Sequence, residues 1–253
     1  MITIKPTWAA PANVYTLVTT RQGGISSTPY DSLNLGDHVG DQPSRVIANR
    51  QIVRKQLPAE PIWLRQTHSI EVSTPHSRSH NSSNPVEADA AVTNIPDEVL
   101  VVMSADCLPV LFSNADGTVI GAAHAGWRGL CDGILENTVS EILKLAHQSS
   151  ANDLIAWMGP AIGPESYEVG EDVVGRFQER GLHDMQKCFL PITDKPGKYL
   201  ANIYQLARDR LKKVGVNTIF GGDLCTVADG ERFFSYRRDG ATGRFASFIW
   251  ISQ

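Results

Sequence analysis

Three short segments carry the residue types that do metal and nucleophile chemistry: Gln66-Thr67-His68, Ala105-Asp106-Cys107 and His124-Ala125-Gly126-Trp127-Arg128-Gly129. They offer two imidazoles and one thiol. Zinc takes such ligands at about 2.0–2.1 Å for nitrogen and about 2.3 Å for sulfur. Three protein ligands leave a fourth tetrahedral position for water or substrate, the arrangement of a catalytic site. The same residues allow a metal-free alternative in which Cys107 is a nucleophile and His124 its base. A nearby carboxylate could shuttle a proton: Asp106 adjoins Cys107 but on a regular strand points to the opposite face, where a turn or supporting hydrogen-bond role is the alternative, and Asp89 is the other candidate, against an ordinary place at a strand start.

Elements must bring these groups together. Val99 to Met103 and Leu108 to Phe112 are apolar, partly β-branched runs, and Asn114-Ala115-Asp116-Gly117 is a turn signal before a return strand from Thr118 to Ala123. A hairpin pairing Ser113 with Thr118 sets Cys107 opposite His124, with Cβ atoms about 4.5–5.5 Å apart. A one-residue slip would send one side chain to the other face. Pro109 cannot donate to a ladder and so predicts an edge or a bulge beside the cysteine. Alternation along a predicted strand from Pro61 to His68 puts Gln66 and His68 on one face. The three donors should then converge within about 4 Å of one another.

Anion binding calls for arginine, which grips phosphate in bidentate fashion. Arg21 precedes Gly23-Gly24, Arg128 follows His124 at the start of a predicted helix, and Arg45 and Arg237 complete the candidates. The segment Pro75 to Pro85, rich in Ser, Asn and His, reads as a loop that follows His68 closely enough to cover the site. His76 and His80 would form a metal pair on a helix, but their neighbours argue against one.

Further along, Leu130 to His147 repeats apolar residues at helical spacing, and Arg45–Gln56, Gly170–Arg180 and Ile203–Val214 are further helices. Strands are predicted at Val14–Thr19, Ala88–Thr93, Ile155–Met158, Thr218–Gly221, Arg232–Arg237 and Arg244–Ile251, the last two as a hairpin. This mixture predicts an α+β domain with mixed sheet and helices outside.

The segments Thr20-Arg21-Gln22-Gly23-Gly24, Tyr30 to Gly36, Gln66-Thr67-His68, Ala105-Asp106-Cys107, His124 to Gly129 and Phe234 to Gly240 resemble the motifs of the YfiH family, also called laccase-domain proteins, polyphenol oxidases or purine nucleoside phosphorylases. The likeness runs from about Trp8 to Ile251. It implies a layered α/β/β/α sandwich over residues 1–253, and zinc held by His68, Cys107 and His124. It further implies phosphorolysis of adenosine, inosine, guanosine or methylthioadenosine, and adenosine deamination. Arg21, Asn34, Arg45, Gln66, Arg128 and Arg237 become the candidate substrate contacts, with Cys107, His124 and Asp106 as the catalytic set. Some members are peptidoglycan editing factors that remove a misplaced serine from a cell-wall precursor, an alternative reading. A non-enzymatic, zinc-stabilised interaction domain is another. Where many members carry V-H-G this chain has Thr67-His68-Ser69, which leaves the ligand in place. Multicopper chemistry asks for many histidines in H-x-H pairs. The chain has 7 histidines and no such pair, although thiolate plus imidazole would also accept copper.

Bulk properties narrow the class. A chain of 253 residues, 42% hydrophobic and 20% charged, has the composition of one globular domain. A net charge of −4 without a Lys/Arg block speaks against a nucleic-acid surface. No apolar stretch is long enough to span a membrane, and Met1 to Ala12 lacks the apolar core of a secretion signal. The 4 cysteines include no close pair and read as reduced thiols of a cytoplasmic protein. The expected partners are small molecules, a nucleoside and phosphate, acting on a monomer or weak homo-oligomer.

Overall fold

Strands buried on both faces should read as unbroken apolar runs, and those runs build the centre of this molecule. The computed structural model describes residues 2–80, 85–146, 150–181 and 184–252. One sheet takes β1 (Thr3–Ile4), β2 (Val14–Thr19), β15 (Phe245–Ile251) and β7 (Leu100–Ser104), in that order. A second takes β14 (Thr218–Gly221), β10 (Leu154–Met158), β8 (Leu108–Asn114), β9 (Ile120–Ala125), β6 (Ala90–Thr93) and β4 (Val72–Ser73). The second is mixed: β10 with β14 and β4 with β6 are parallel, while its other pairs are antiparallel. Two small sheets join β3 (Leu64–Arg65) to β5 (Val86–Glu87), and β13 (Lys198–Ala201) to β11 (Glu168–Gly170) and β12 (Phe189–Pro191).

Strand alternation sorts the core into layers. Leu100, Val102, Phe245 and Ile249 meet Leu111, Ile120 and Ala122 between the two large sheets. Val101, Met103, Ala246 and Phe248 turn the other way, onto Val53 of α1 (Pro43–Arg54) and onto Leu33, Leu35 and Leu57. Val110, Phe112 and Ala123 face α4 (Ile134–Ala146) and α7 (Ile203–Lys213) through Leu135, Val139, Ile142, Leu206 and Leu211. The result is the expected α/β/β/α sandwich with mixed sheets. Each fully buried Leu, Ile or Phe contributes roughly 2 kcal/mol of burial. α5 (Glu171–Glu179) and the short helices α2 (Pro75–His80), α3 (Trp127–Asp132), α6 (Met185–Cys188) and α8 (Tyr236–Asp239) complete the fold. Among the described residues no helix is long and apolar enough to cross a membrane.

Several expectations need correction. The β8–β9 register is Ser113 opposite Ile120 and Pro109 opposite His124, two residues away from the expected pairing of Ser113 with Thr118. The loop is longer because Asn114 organises it: its Oδ1 accepts from Thr118 N and Val119 N, and its Nδ2 donates to Thr118 Oγ1. Gly117 at φ +66° supplies the left-handed step. A shift of two keeps every side chain on its face. Pro109 lies in a central strand, not at an edge. It is tolerated because Gly159, just past β10, still donates its N–H to Pro109 O, while Gly159 O accepts from the Tyr204 hydroxyl and needs no donor from the proline.

The predicted Pro61–His68 strand shrinks to Leu64–Arg65. Arg232–Arg237 forms no strand: Asp229 accepts from Arg232 N, Ser235 Oγ caps α8 by accepting from Arg238 N, and β15 pairs with β2 and β7 instead. The long helix after His124 is broken at Gly133, φ +112°, into α3 and α4, and its expected end at His147 lies outside the described residues. Residues 75–80 form α2 where a loop was expected, because Thr74 and Ser77 cap each other reciprocally around Pro75. Arg78 ties α2 to Ser73 O, Val92 O and Glu98, so it does not cover the site; residues 81–84 lie outside the described residues.

Asn114 is 1% exposed, so its truncation strands two backbone N–H groups. Asn114→Ala should lower stability by about 2 kcal/mol in urea unfolding. Because the buried faces set the register parity, its metal stoichiometry should remain that of the parent chain.

Candidate metal centre

One carboxylate builds this site. Asp89, immediately before β6, is completely buried and stands across the ladder from His124 on β9, whose N–H donates to Asp89 O at 2.7 Å. Its side-chain Oδ1 contacts His124 Nδ1 at 2.9 Å and accepts from His68 N at 3.0 Å. Oδ2 accepts from Thr67 N at 3.1 Å, Ser69 N at 2.7 Å and Ser69 Oγ at 2.8 Å. The carboxylate thus folds the 67–69 turn around itself and holds His68 at φ +61°. With Nδ1 of His124 occupied, its Nε2 is the free ring nitrogen, the usual arrangement behind a metal-bound histidine.

Cys107 arrives from the opposite direction. It lies in the crossover from β7 of one large sheet to β8 of the other. Asp106 makes the turn at φ +95°, with Oδ1 accepting from Thr226 Oγ1 and Oδ2 from Arg237 N, each at 2.6 Å. Its carbonyl accepts from Ile162 N, and Ser104 Oγ donates to Cys107 O. Gln66 docks its amide on Met103 N and O, both at 2.8 Å, fixing the His68 segment to the end of β7. Gly126 lets the parts close: a Cβ there would stand 2.6 Å from His68 Cδ2 and 3.0 Å from Cys107 Sγ.

His68, Cys107 and His124 therefore converge, with ligand atoms all within 4.8 Å of one another and Cys107 Sγ 3.6 Å from His68 Nε2. The span exceeds the expected 4 Å, and closure by about 1 Å meets tetrahedral zinc distances. The donor set fits zinc, with copper as the alternative its softness permits. Burial alone would raise the Cys107 thiol, but the charge and hydrogen bond of His124 and the contact with His68 bring it down. Burial alone would lower His124, but Cys107 and Asp89 hold it above its ordinary range. The cluster thus calls for a positive charge between its anions. Asp89 follows the same logic: burial would raise it, yet the hydrogen bonds of His124 and Ser69 carry it down to about 2.

The cluster lies at the floor of a cavity of about 440 Å³. Gln66, Asp106, Arg128 and Arg237 line it as expected, although Gln66 and Asp106 have their polar atoms committed to backbone and to Thr226. Arg128 lies over Trp127 at 4.5 Å, and Arg237 over Tyr167 at 5.4 Å with its Nη1 on Glu168 O. Three expected contacts lie elsewhere. Arg21 is bound to Asp31 and Gly230 O and covers Phe234. Asn34 is buried on Gly36, Asp41 and Arg244 N. Arg45 sits on α1 away from the cavity. These residues shape the 20–45 loops, which is why a motif in them signals structure. Sequence reasoning missed His38, Tyr167, Tyr236 and Arg244, which line the cavity; Tyr236 stands beside Arg237 in the Phe234–Gly240 motif and could have been found there, whereas the other three come from segments without motif spacing. The rings of His76 and His80 lie 4.4 Å apart, tilted by 45°, without a third ligand among the described residues.

Residues 15–252 match the model of the family described as multi-copper polyphenol oxidoreductase laccase. A purine nucleoside phosphorylase of Haemophilus influenzae is 49% identical, covering 99% of this chain and 100% of its own. Purine nucleoside phosphorylase YfiH of Escherichia coli is 48% identical, covering 98% of each chain. A crystal structure of a Neisseria meningitidis protein aligns at TM-score 0.90 with 45% identity, covering 99% of each chain. Bacillus licheniformis YfiH aligns at TM-score 0.85 with 33% identity, covering 94% of this chain and 93% of its own.

Asp89→Asn puts an amide donor among donors. It should cost about 3 kcal/mol of stability and weaken metal binding about 10–100-fold, read by urea unfolding and by competition with a chelating dye. The folded pKa of Asp89 lies below its unfolded value, so its contribution is present above about pH 4 and lost as pH falls toward 2. Metal-free parent protein should lose about 2 kcal/mol across that window, and metal-free Asp89→Asn should lack this loss.

Proposed function

The chain belongs to the YfiH family of laccase-domain proteins, and from that premise we propose that it is a zinc-dependent enzyme that cleaves purine nucleosides with phosphate. The observation that carries the reading is the His68–Cys107–His124 cluster at the floor of a cavity walled by arginines and aromatic rings. Relatives named purine nucleoside phosphorylase, 44–49% identical over nearly the whole chain, support it. In phosphorolysis a phosphate oxygen bonds to C1′ of the ribose and the C1′–N9 bond breaks. Its electron pair leaves on the purine, which takes up a proton, giving ribose 1-phosphate and free base.

His68, Cys107 and His124 would hold the metal, which when bound supplies Lewis-acid charge and a water of lowered pKa. Asp89 keeps His124 in one tautomer and aims it. Trp127 and Tyr167 offer apolar wall to a purine, and arginine charge offers compensation to phosphate. With adenosine and water the same cavity suits deamination: an O–C6 bond forms, the C6–N bond breaks and ammonia leaves. Phenol oxidation at a multicopper centre suits the chain poorly, since 7 histidines without an H-x-H pair supply only this one three-ligand cluster among the described residues. The free state of Cys107, Cys131, Cys188 and Cys225 suits a reducing, cytoplasmic setting. A second reading, cysteine hydrolysis without metal, draws on the lowered Cys107 thiol beside the raised His124.

The deciding experiment incubates pure protein with inosine or adenosine, with and without phosphate, and identifies the products. Base and ribose 1-phosphate should appear only with phosphate, and inosine from adenosine without it. Turnover of a muramyl-serine precursor with no nucleoside consumed would overturn the proposal. Cys107→Ala should lower zinc content and turnover together, each by about tenfold or more. A variant that keeps its zinc yet loses all turnover would instead favour the nucleophile.

A further inference from the structure

Most arginines of this chain are neutralised locally: Arg21, Arg50, Arg78, Arg210 and Arg238, for example, each pair with a carboxylate. Arg128, Arg237 and Arg244 line the cavity, and none has a carboxylate ion pair among the described residues. Asp106 is the sole carboxylate in the lining, and both its oxygens are already committed. Three guanidiniums thus share one wall carboxylate, and the cavity wall carries an excess of positive charge. A sequestered charge without a counter-ion is costly, and a bound anion relieves that cost.

The three cations differ in what remains free. Arg128 is exposed and lies over Trp127, and Arg237 spends Nη1 on Glu168 O beside Tyr167. Arg244 is partly buried at the start of β15, and only its Nη1 is used, on Thr242 O at 3.1 Å and Gly243 O at 3.0 Å. Its Nε–Nη2 edge has no hydrogen bond among the described residues, and such an edge matches two oxygens of one phosphate. The stem is fixed beforehand. Arg244 N donates to Asn34 Oδ1, Arg244 O accepts from Leu35 N, and Gly36 packs so closely that a Cβ there would stand 2.8 Å from Arg244 Cγ. Burial holds the guanidinium below its ordinary range, while Cys107 and Asp106 are near enough for their charges to act on it. His38 shares this wall and feels the Arg244 charge.

We infer that Arg244 is the phosphate-gripping residue of this cavity, its free Nε–Nη2 edge receiving a phosphate group beside the Cys107 floor. The inference rests on the phosphorolysis reading for the source of that group, either free phosphate or a phosphate carried by the nucleoside. The test titrates the protein as purified, its metal content measured, with inorganic phosphate and separately with a nucleoside 5′-monophosphate by calorimetry. Arg244→Gln should weaken phosphate binding about tenfold or more, Arg244→Lys should recover part of it, and Arg45→Gln, on α1 outside the cavity, should change it less than about threefold. The phosphate KM of Arg244→Gln should rise in step while the inosine KM stays within about twofold. A loss confined to inorganic phosphate makes free phosphate the occupant, and a loss confined to the nucleotide makes it the substrate's own group; either supports the assignment. Affinities for inorganic phosphate and for the nucleotide both kept within about twofold in Arg244→Gln overturn it. Should Arg244→Gln fail to fold or to keep its metal, Arg244→Lys decides: it lacks the bidentate edge, so an unchanged phosphate affinity in it overturns the assignment. Phosphate bound through Arg244 without nucleoside cleavage would keep this inference and discard the phosphorylase reading. Cleavage with an unchanged phosphate KM in Arg244→Gln would do the reverse.

Discussion

A single buried carboxylate sets the geometry on which the rest of the site depends. Asp89 has no access to solvent, so its charge must be satisfied entirely by protein groups. It takes the N–H groups of Thr67, His68 and Ser69, the hydroxyl of Ser69 and the ring of His124. The dependence is mutual. β3 ends at Arg65, so the N–H groups of residues 67–69 have no ladder, and without Asp89 they would be orphans. One interaction thereby fixes both histidines: His68 through its backbone and His124 through its ring. A small displacement of β6 would move both at once.

The cysteine is positioned by the same principle. Residues 105–107 carry the chain from one large sheet to the other, where no strand pairing guides the backbone. Asp106 adopts φ +95°, a region costly for any residue with a Cβ, and its carboxylate offsets that cost by binding Thr226 and Arg237 N. The two non-glycine residues with positive φ at the cluster, His68 and Asp106, are thus each secured by buried carboxylate hydrogen bonds. Strain of this kind persists where surrounding structure over-determines it. Gly126 supplies the remaining condition, an open space where the two approaches meet.

How much of this was legible in the sequence follows from which forces are local. The apolar runs of β7, β8 and β9 and the periodicity of α4 and α7 are readable because burial dictates them. The hairpin register was off by two because Asn114 uses its side chain to extend the loop, a competition between side chain and backbone that turn propensity does not resolve. The error was harmless to the metal cluster, since a two-residue shift preserves faces. Gln66 and His68 did reach one cavity, but not by strand alternation: Gln66 is docked on Met103 and His68 sits in a turn made by Asp89. Residues 232–237 were misread because Asp229 and Ser235 cap turns there. Arg244 escaped notice because its role depends on what it lacks, a carboxylate partner, and only three-dimensional packing reveals that.

Charge balance explains why the cluster and the arginines belong to one site. A divalent ion on His68, Cys107 and His124 would be met by one thiolate and, behind His124, by the Asp89 carboxylate. Two negative charges against two positive leave the centre neutral overall. In the metal-free chain the raised pKa of His124 shows the same demand: a proton supplies the positive charge that the two anions require. Asp106 is committed to Thr226 and to the Arg237 backbone, so it bridges the cavity wall to the Cys107 turn without an ion pair to Arg244. What remains on the walls is an excess of guanidinium charge, three arginines against the one Asp106 carboxylate. On the proposed reading, a metal held by the cluster would serve a neutral nucleoside while the wall attracts an anion, and the two reactants would meet without competing for the same charge.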